Sequence, residues 1–309
     1  MNYRNLQIKI ELTKRCFLNC LHCSANSGPA SCTEIKPKYI DTVLKDAAAL
    51  ERIVLTGGEP LCCSHFFQSL EKFNRAGFMP CIYSSGITEC NYSPMLLKSL
   101  NGKISKFIIS LYGQEATHEL ITGSKGSFSQ TFQFIEYIRE FRIPLGIHIV
   151  ALRENIENIP DLINWLKDLD IHEISILRYV PQGRGMDLNI RPPSREMLAW
   201  LYSQLSNKAI RFGAPFNFIH KKRIFCKAGH RTASIDVFGN VIPCDSFKFF
   251  AYYGSHNNLE KHRLLSIIGN SDLFKFCRKN STMNSNNECC IGQYLIKMKK
   301  PNLDVALYA

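Results

Sequence analysis

The stretch KIELTKRCFLNCLHC, Lys9 to Cys23, joins a strand-like run to three cysteines, Cys16, Cys20 and Cys23, inside eight residues. If IKIEL (8–12) is a strand, the cysteines lie on the loop after it, at the carboxyl edge of a sheet. That edge is where α/β proteins place their active sites. Three thiolates are one short of a closed tetrahedral metal site.

Further runs of the same character follow at RIVLTGG (52–58), CIYSSG (81–86), KFIISLYG (106–113), LGIHIVAL (145–152) and EISILRYV (173–180). Helix-spaced segments lie between them. In NIPDLINWLKDL, Ile159, Leu162, Ile163 and Leu166 recur at spacings of three and four, with Pro160 in the first turn. Six strand–helix repeats predict an α/β fold, a parallel sheet covered by helices and either doubly wound or curved into a barrel. PQGRGMDLNIRPPS breaks the pattern after Val180, and REMLAWLYSQLS (195–206) reads as a last helix. From about residue 207 the texture changes, which predicts a core domain over 1–206 and a small α+β domain over 207–309. TASIDVFGNVIP (232–243) reads as a hairpin turned at Gly239-Asn240.

The 309 residues suffice for a substantial core, and 45% hydrophobic with 21% charged residues is ordinary globular composition. No run approaches the roughly eighteen apolar residues of a membrane span. The N-terminus lacks the basic-then-apolar pattern of a secretion signal, so a cytoplasmic protein with no membrane partner is expected. Thirteen cysteines, an odd number, argue against a disulfide framework and for metal or chemistry. The net charge of +12 is spread along the chain, and a solvated basic surface explains it better than nucleic-acid binding.

The cysteine loop admits three readings: structural zinc with His22 or a distant cysteine, unrelated buried thiols, or a 4Fe–4S cluster with one iron left open. A second motif decides. The next strand ends in LTGGEPL, which puts Gly57, Gly58, Glu59 and Pro60 on the neighbouring loop. Two glycines let backbone approach a ligand closely, and Glu59 offers a carboxylate to an ammonium.

With both motifs in place the chain resembles the radical S-adenosylmethionine (radical SAM) superfamily over its first 190 residues. Cys16, Cys20 and Cys23 match its CxxxCxΦC motif, with His22 at Φ, and GGEP (57–60) matches the turn that binds the methionine amino group. SSG (84–86) stands where relatives often have Thr-Asn-Gly, and ISLYG (109–113) resembles their fourth strand. The resemblance implies a partial (β/α)6 TIM-type barrel. It implies a 4Fe–4S cluster on the three cysteines, with His22, Gly57, Gly58, Glu59, Pro60, Ser85 and Ser110 at S-adenosylmethionine. It further implies reductive cleavage of that cofactor to a 5′-deoxyadenosyl radical that abstracts a substrate hydrogen atom, with flavodoxin or ferredoxin as electron donor.

The second cysteine set, Cys226-x12-Gly239-x4-Cys244 with later Cys277, Cys289 and Cys290, read alone suggests a zinc hairpin. In context it resembles SPASM and twitch extensions. ECCIGQ looks like a reduced SPASM tail, since the usual CxxCx5CxxxC run is missing. That implies one auxiliary 4Fe–4S cluster on Cys226, Cys244, one of Cys289 and Cys290, and Cys277 unless it is core.

Cys62 and Cys63, just after GGEPL, are either small core thiols or hydrogen-atom donors near the radical. Arg184 in QGRG contacts substrate or cofactor, or stabilises its turn. Trp165 and Trp200 occupy helical apolar positions and are expected in the core. The resemblance points to modification of a ribosomally made peptide or a protein side chain, by crosslinking, oxidation or epimerisation. A separate peptide-recognition protein would supply the recognition domain that many relatives carry. A small-molecule dehydrogenase or cofactor-building enzyme is the alternative, and a non-catalytic zinc protein binding nucleic acid is the reading from another class.

Overall fold

The computed structural model describes residues 3–88, 94–169, 171–186, 192–205, 209–213, 216–219, 225–248 and 257–283, with side chains up to Asn280. The strands are β1 (Leu6–Glu11), β2 (Leu50–Thr56), β3 (Cys81–Ser84), β4 (Lys106–Ser110), β5 (Leu145–Ala151), β6 (Glu173–Arg178), β7 (Ile210–Phe212), β8 (Thr232–Ile235) and β9 (Val241–Ile242). They form one nine-stranded sheet in the order β7-β6-β5-β4-β3-β2-β1-β8-β9. Every neighbouring pair is parallel except the β8–β9 hairpin. β7 and β9 end the sheet, so the barrel is open. All six expected strands are present at the expected places, and each extends by a residue or two or stops short.

The sheet is longer than six strands for a local and a long-range reason. Ile210–Phe212 adds beside β6, with Ile174 opposite Ile210. The expected hairpin exists, but β8 pairs in register with β1, Gln7 opposite Thr232 and Ile10 opposite Ile235. The segment after residue 207 therefore shares a sheet with the first strand.

Helices α1 (Pro37–Leu44), α2 (Phe66–Arg75), α3 (Pro94–Leu100), α4 (Glu115–Thr122), α5 (Ser127–Glu140), α6 (Ile159–Leu166) and α7 (Arg195–Leu205) connect the strands, and α8 (Leu264–Asn270) and α9 (Asp272–Met283) follow β9. In α2, Phe66, Leu70 and Phe73 fall on one face and are buried. Each such side chain contributes about 1.5–3 kcal/mol by leaving water. In α6 the buried residues are Ile159, Leu162, Ile163 and Leu166, the four that periodicity selects. Trp165 packs partly buried against this core, but Trp200 is 41% exposed. In α7 the buried stripe is Leu198, Leu201 and Leu205, and Trp200 falls between its turns.

Alternate strand residues build two different faces. Phe107, Ile109, Ile147 and Ile149 join the large apolar core beneath the helices. The opposite face carries a polar row, Ser110, His148, Ser175 and Arg211, in register across β4 to β7. A parallel strand buried only for stability reads as apolar on both faces, so the inner face is built for something other than packing.

Candidate active site

The cysteine loop and the GGEP turn are built against each other. Cys16 N–H donates to the Gly28 carbonyl (3.2 Å), closing the loop after β1. Gly58 N–H donates to the Thr13 carbonyl (2.7 Å) and Glu59 N–H to that of Arg15 (2.8 Å). A Cβ on Gly57 would lie 2.4 Å from Thr13 O, and one on Gly58 2.3 Å from Arg15 O. The glycines therefore permit a close approach between the two loops. Pro60 is buried at the first position of the 3₁₀ turn Pro60–Cys62.

Glu59 is completely buried. It accepts hydrogen bonds from Ser84 Oγ (2.9 Å), Ser85 N–H (2.9 Å) and Ser85 Oγ (2.8 Å). SSG after β3 is thus the bracket of the carboxylate, and Ser85 faces Glu59. Burial outweighs these hydrogen bonds and pushes the Glu59 carboxyl up to about 7. An arriving ammonium would favour its ionised form.

Cys16 is buried, with Cys20 and Cys23 half-buried beside it. Burial pushes the Cys16 thiol up to about 12. Burial and then the neighbouring thiols Cys23 and Cys16 hold the Cys20 thiol well above its ordinary value. Thiolates here need cationic partners. The donor set, three thiols on one loop, fits a 4Fe–4S cluster. His22 is buried and meets Tyr112 edge-to-face at 4.6 Å, while its buried Nδ1 has no hydrogen-bond partner among the described residues. Burial, and then the neighbouring Cys20 thiol, hold the Tyr112 phenol well above its ordinary value, against a smaller opposing effect of a hydrogen bond with Ser110.

Arg184 holds the cysteine loop. Its Nε donates to the Cys20 carbonyl (2.8 Å), its Nη2 to that of Ser27 (2.9 Å) and its backbone N–H to that of Cys23 (3.1 Å). The guanidinium also favours the thiolates of Cys16 and Cys20, against the larger effect of burial. Sequence left the role of Arg184 open, because a contact between residues 20 and 184 has no local signature.

In the second set, Cys226 precedes β8 and Cys244 follows β9, both half-buried, while Cys277 is buried on α9. The three segments meet: Thr232 Oγ1 donates to the Pro243 carbonyl (3.2 Å), and Gly229 lies against Cys277. Cys289 and Cys290 fall outside the described residues. An ion-pair network that sequence reasoning missed ties β1 to the segment after β9, with Glu11 its buried member. Lys9 Nζ pairs with Asp245 (2.6 Å), and Lys248 pairs with Glu11 and with Asp245 (3.7 Å), beside Cys244. Cys62 and Cys63 lie at the end of the GGEP turn, and the Cys63 thiol points at His65 Nδ1 (3.6 Å).

The profile of the Radical SAM superfamily matches residues 10–166, half of the chain. The chain belongs to this superfamily, whose cofactors are a 4Fe–4S cluster and S-adenosylmethionine. Among its relatives is the AdoMet-dependent heme synthase of Methanosarcina barkeri, 28% identical over 66% of this chain and 60% of that protein. The sporulation killing factor maturation protein SkfB of Bacillus subtilis is 23% identical over 79% of this chain and 61% of its own length. The chain thus spans about three fifths of the length of these relatives. Streptococcus suis SuiB bound to its precursor peptide SuiA superposes with a TM-score of 0.69 over 88% of this chain and 66% of SuiB, at 16% identity. That likeness shows the fold, a partial TIM barrel. Among the described residues no helix is long and apolar enough to cross a membrane.

Proposed function

We propose that this protein is a radical SAM enzyme that modifies a peptide or protein side chain. The observation that carries the chemistry is the interlocked pair of loops, three thiols on one and a buried Glu59 on the other. Cys16, Cys20 and Cys23 would hold the cluster, and Glu59 would take the methionine ammonium. His22, Gly57, Gly58, Pro60, Ser85 and Ser110 shape or brace the surrounding cradle. When bound, the cofactors supply a 5′-deoxyadenosyl radical that takes a hydrogen atom from the substrate. The polar inner face with His148, Ser175 and Arg211 is the surface on which a substrate would lie.

The peptide assignment rests on the relatives. SkfB is a maturation protein, and another, from Bacillus subtilis, serves subtilosin biosynthesis. Cys226, Cys244 and Cys277, with Cys289 or Cys290, would carry one auxiliary cluster. Flavodoxin or ferredoxin would deliver the electron, and a separate recognition protein would present the peptide. The cysteine content suits the reducing cytoplasm. The heme synthase match supports a second reading, a cofactor-building enzyme acting on a small molecule.

The test is anaerobic assay with dithionite and S-adenosylmethionine, following 5′-deoxyadenosine. Replacing Cys16, Cys20 and Cys23 together should abolish it, and continued cleavage would contradict the assignment. Deuterium entering 5′-deoxyadenosine from a labelled peptide pool supports the peptide reading, while entry only from a labelled porphyrin overturns it.

A further inference from the structure

Among the described residues, one cluster of metal-type donors lies outside the cysteine sets. Glu34, Cys63 and His65 each present a ligand atom, and the three atoms lie within 4.8 Å of one another. His65 Nδ1 is 3.6 Å from Cys63 Sγ and 3.3 Å from Glu34 Oε2. A tetrahedral zinc ion, with bonds of about 2.0 to 2.3 Å, holds its ligand atoms about 3.3 to 3.6 Å apart. Both measured edges fall in that interval.

The three groups lie within hydrogen-bond reach of one another: the Cys63 thiol bonds to Glu34, and His65 Nδ1, with either one hydrogen or one lone pair, serves one of its two neighbours at a time. A cation at the centre would engage all three donors at once. The carboxylate is already oriented for a single-oxygen bond, since Ser64 N–H donates to Glu34 Oε1 (2.8 Å) and Ser64 Oγ to Oε2 (2.5 Å). Such outer contacts fix the ligands of real sites. Cys63 is buried, while Glu34 and His65 retain partial exposure, which leaves an entry path and room for water as fourth ligand.

We propose that Glu34, Cys63 and His65 form a zinc site with one open position. It would connect two parts of the active-site scaffold. Glu34 pairs with Thr13, at the root of the cysteine loop, while Cys63 and His65 link the GGEP turn to the start of α2. Binding releases the Cys63 thiol proton to solvent and leaves the metal oxidation state unchanged.

The experiment uses the full chain, with its clusters reconstituted anaerobically so that their cysteines are occupied. One equivalent of zinc is added, the protein is desalted, and zinc and iron are counted. The wild type should retain one zinc, whereas E34Q and H65N should bind it at least about tenfold more weakly with unchanged iron. Cobalt in place of zinc should give a thiolate-to-metal charge-transfer band in the wild type, a readout that needs no variant to fold. No retained zinc in the wild type, equal retention in E34Q and H65N, or bound cobalt without the thiolate band would each overturn the site.

Discussion

Replacing Glu59 by glutamine tests the electrostatics of the site directly. The Glu59 carboxyl rises from 4.5 to about 7 because folding buries it. At about 1.4 kcal/mol per pKa unit, that shift corresponds to about 3 kcal/mol. Below about pH 4.5 the group is neutral in both states and the burden is absent. Between about pH 4.5 and 7 the unfolded chain ionises while the folded one resists, so stability falls as pH rises through this window. Glutamine does not ionise. In urea unfolding of the cluster-free chain under reducing conditions, E59Q and wild type should be similar near pH 4. E59Q should gain about 3 kcal/mol on the wild type near pH 8. S-adenosylmethionine should then stabilise reconstituted wild type more strongly at pH 8 than at pH 6 and leave reconstituted E59Q almost unaffected. Parallel stability curves for the two proteins from pH 4 to 8 would refute the reasoning.

R184Q removes two charge-assisted hydrogen bonds to the cysteine loop and should cost roughly 1.5–3 kcal/mol each at most. Its reconstituted form should lose iron to a chelator faster than wild type. G58A puts a Cβ 2.3 Å from Arg15 O, so the two loops must part. About 1–3 kcal/mol of stability should go in urea titration, with a larger loss of cofactor affinity in equilibrium dialysis. K248M leaves the buried Glu11 without its pair and should cost roughly 3–5 kcal/mol by the same unfolding assay. A double variant K248M/E11L should recover part of that loss.

What could be read from the sequence follows the range of the forces involved. Periodicity is local, so Ile159, Leu162, Ile163 and Leu166 announced their helix and their buried face together. The two loops were legible because each directly follows a strand. Trp200 misled because its type suggests burial while the neighbouring Leu198, Leu201 and Leu205 define a different face. Sequence placed Ser85 at the cofactor, but the hydrogen bonds that Ser84 and Ser85 give to Glu59 had no local signature. Neither the Arg184 clamp nor the Lys9–Asp245–Lys248–Glu11 network has a local pattern, because each arises from segments far apart in the chain.

The parallel pairing of Gln7–Ile10 with Thr232–Ile235 sets an order of events during synthesis. Strand β1 has one flank covered by β2 soon after its synthesis, but its other flank waits until Thr232–Ile235, far along the chain, has been made. In that interval it presents bare amides and carbonyls, a template for pairing with other nascent chains. Chains cut after residue 206 would keep that condition permanently, so insoluble product from such truncations would reflect a missing neighbour rather than a faulty barrel.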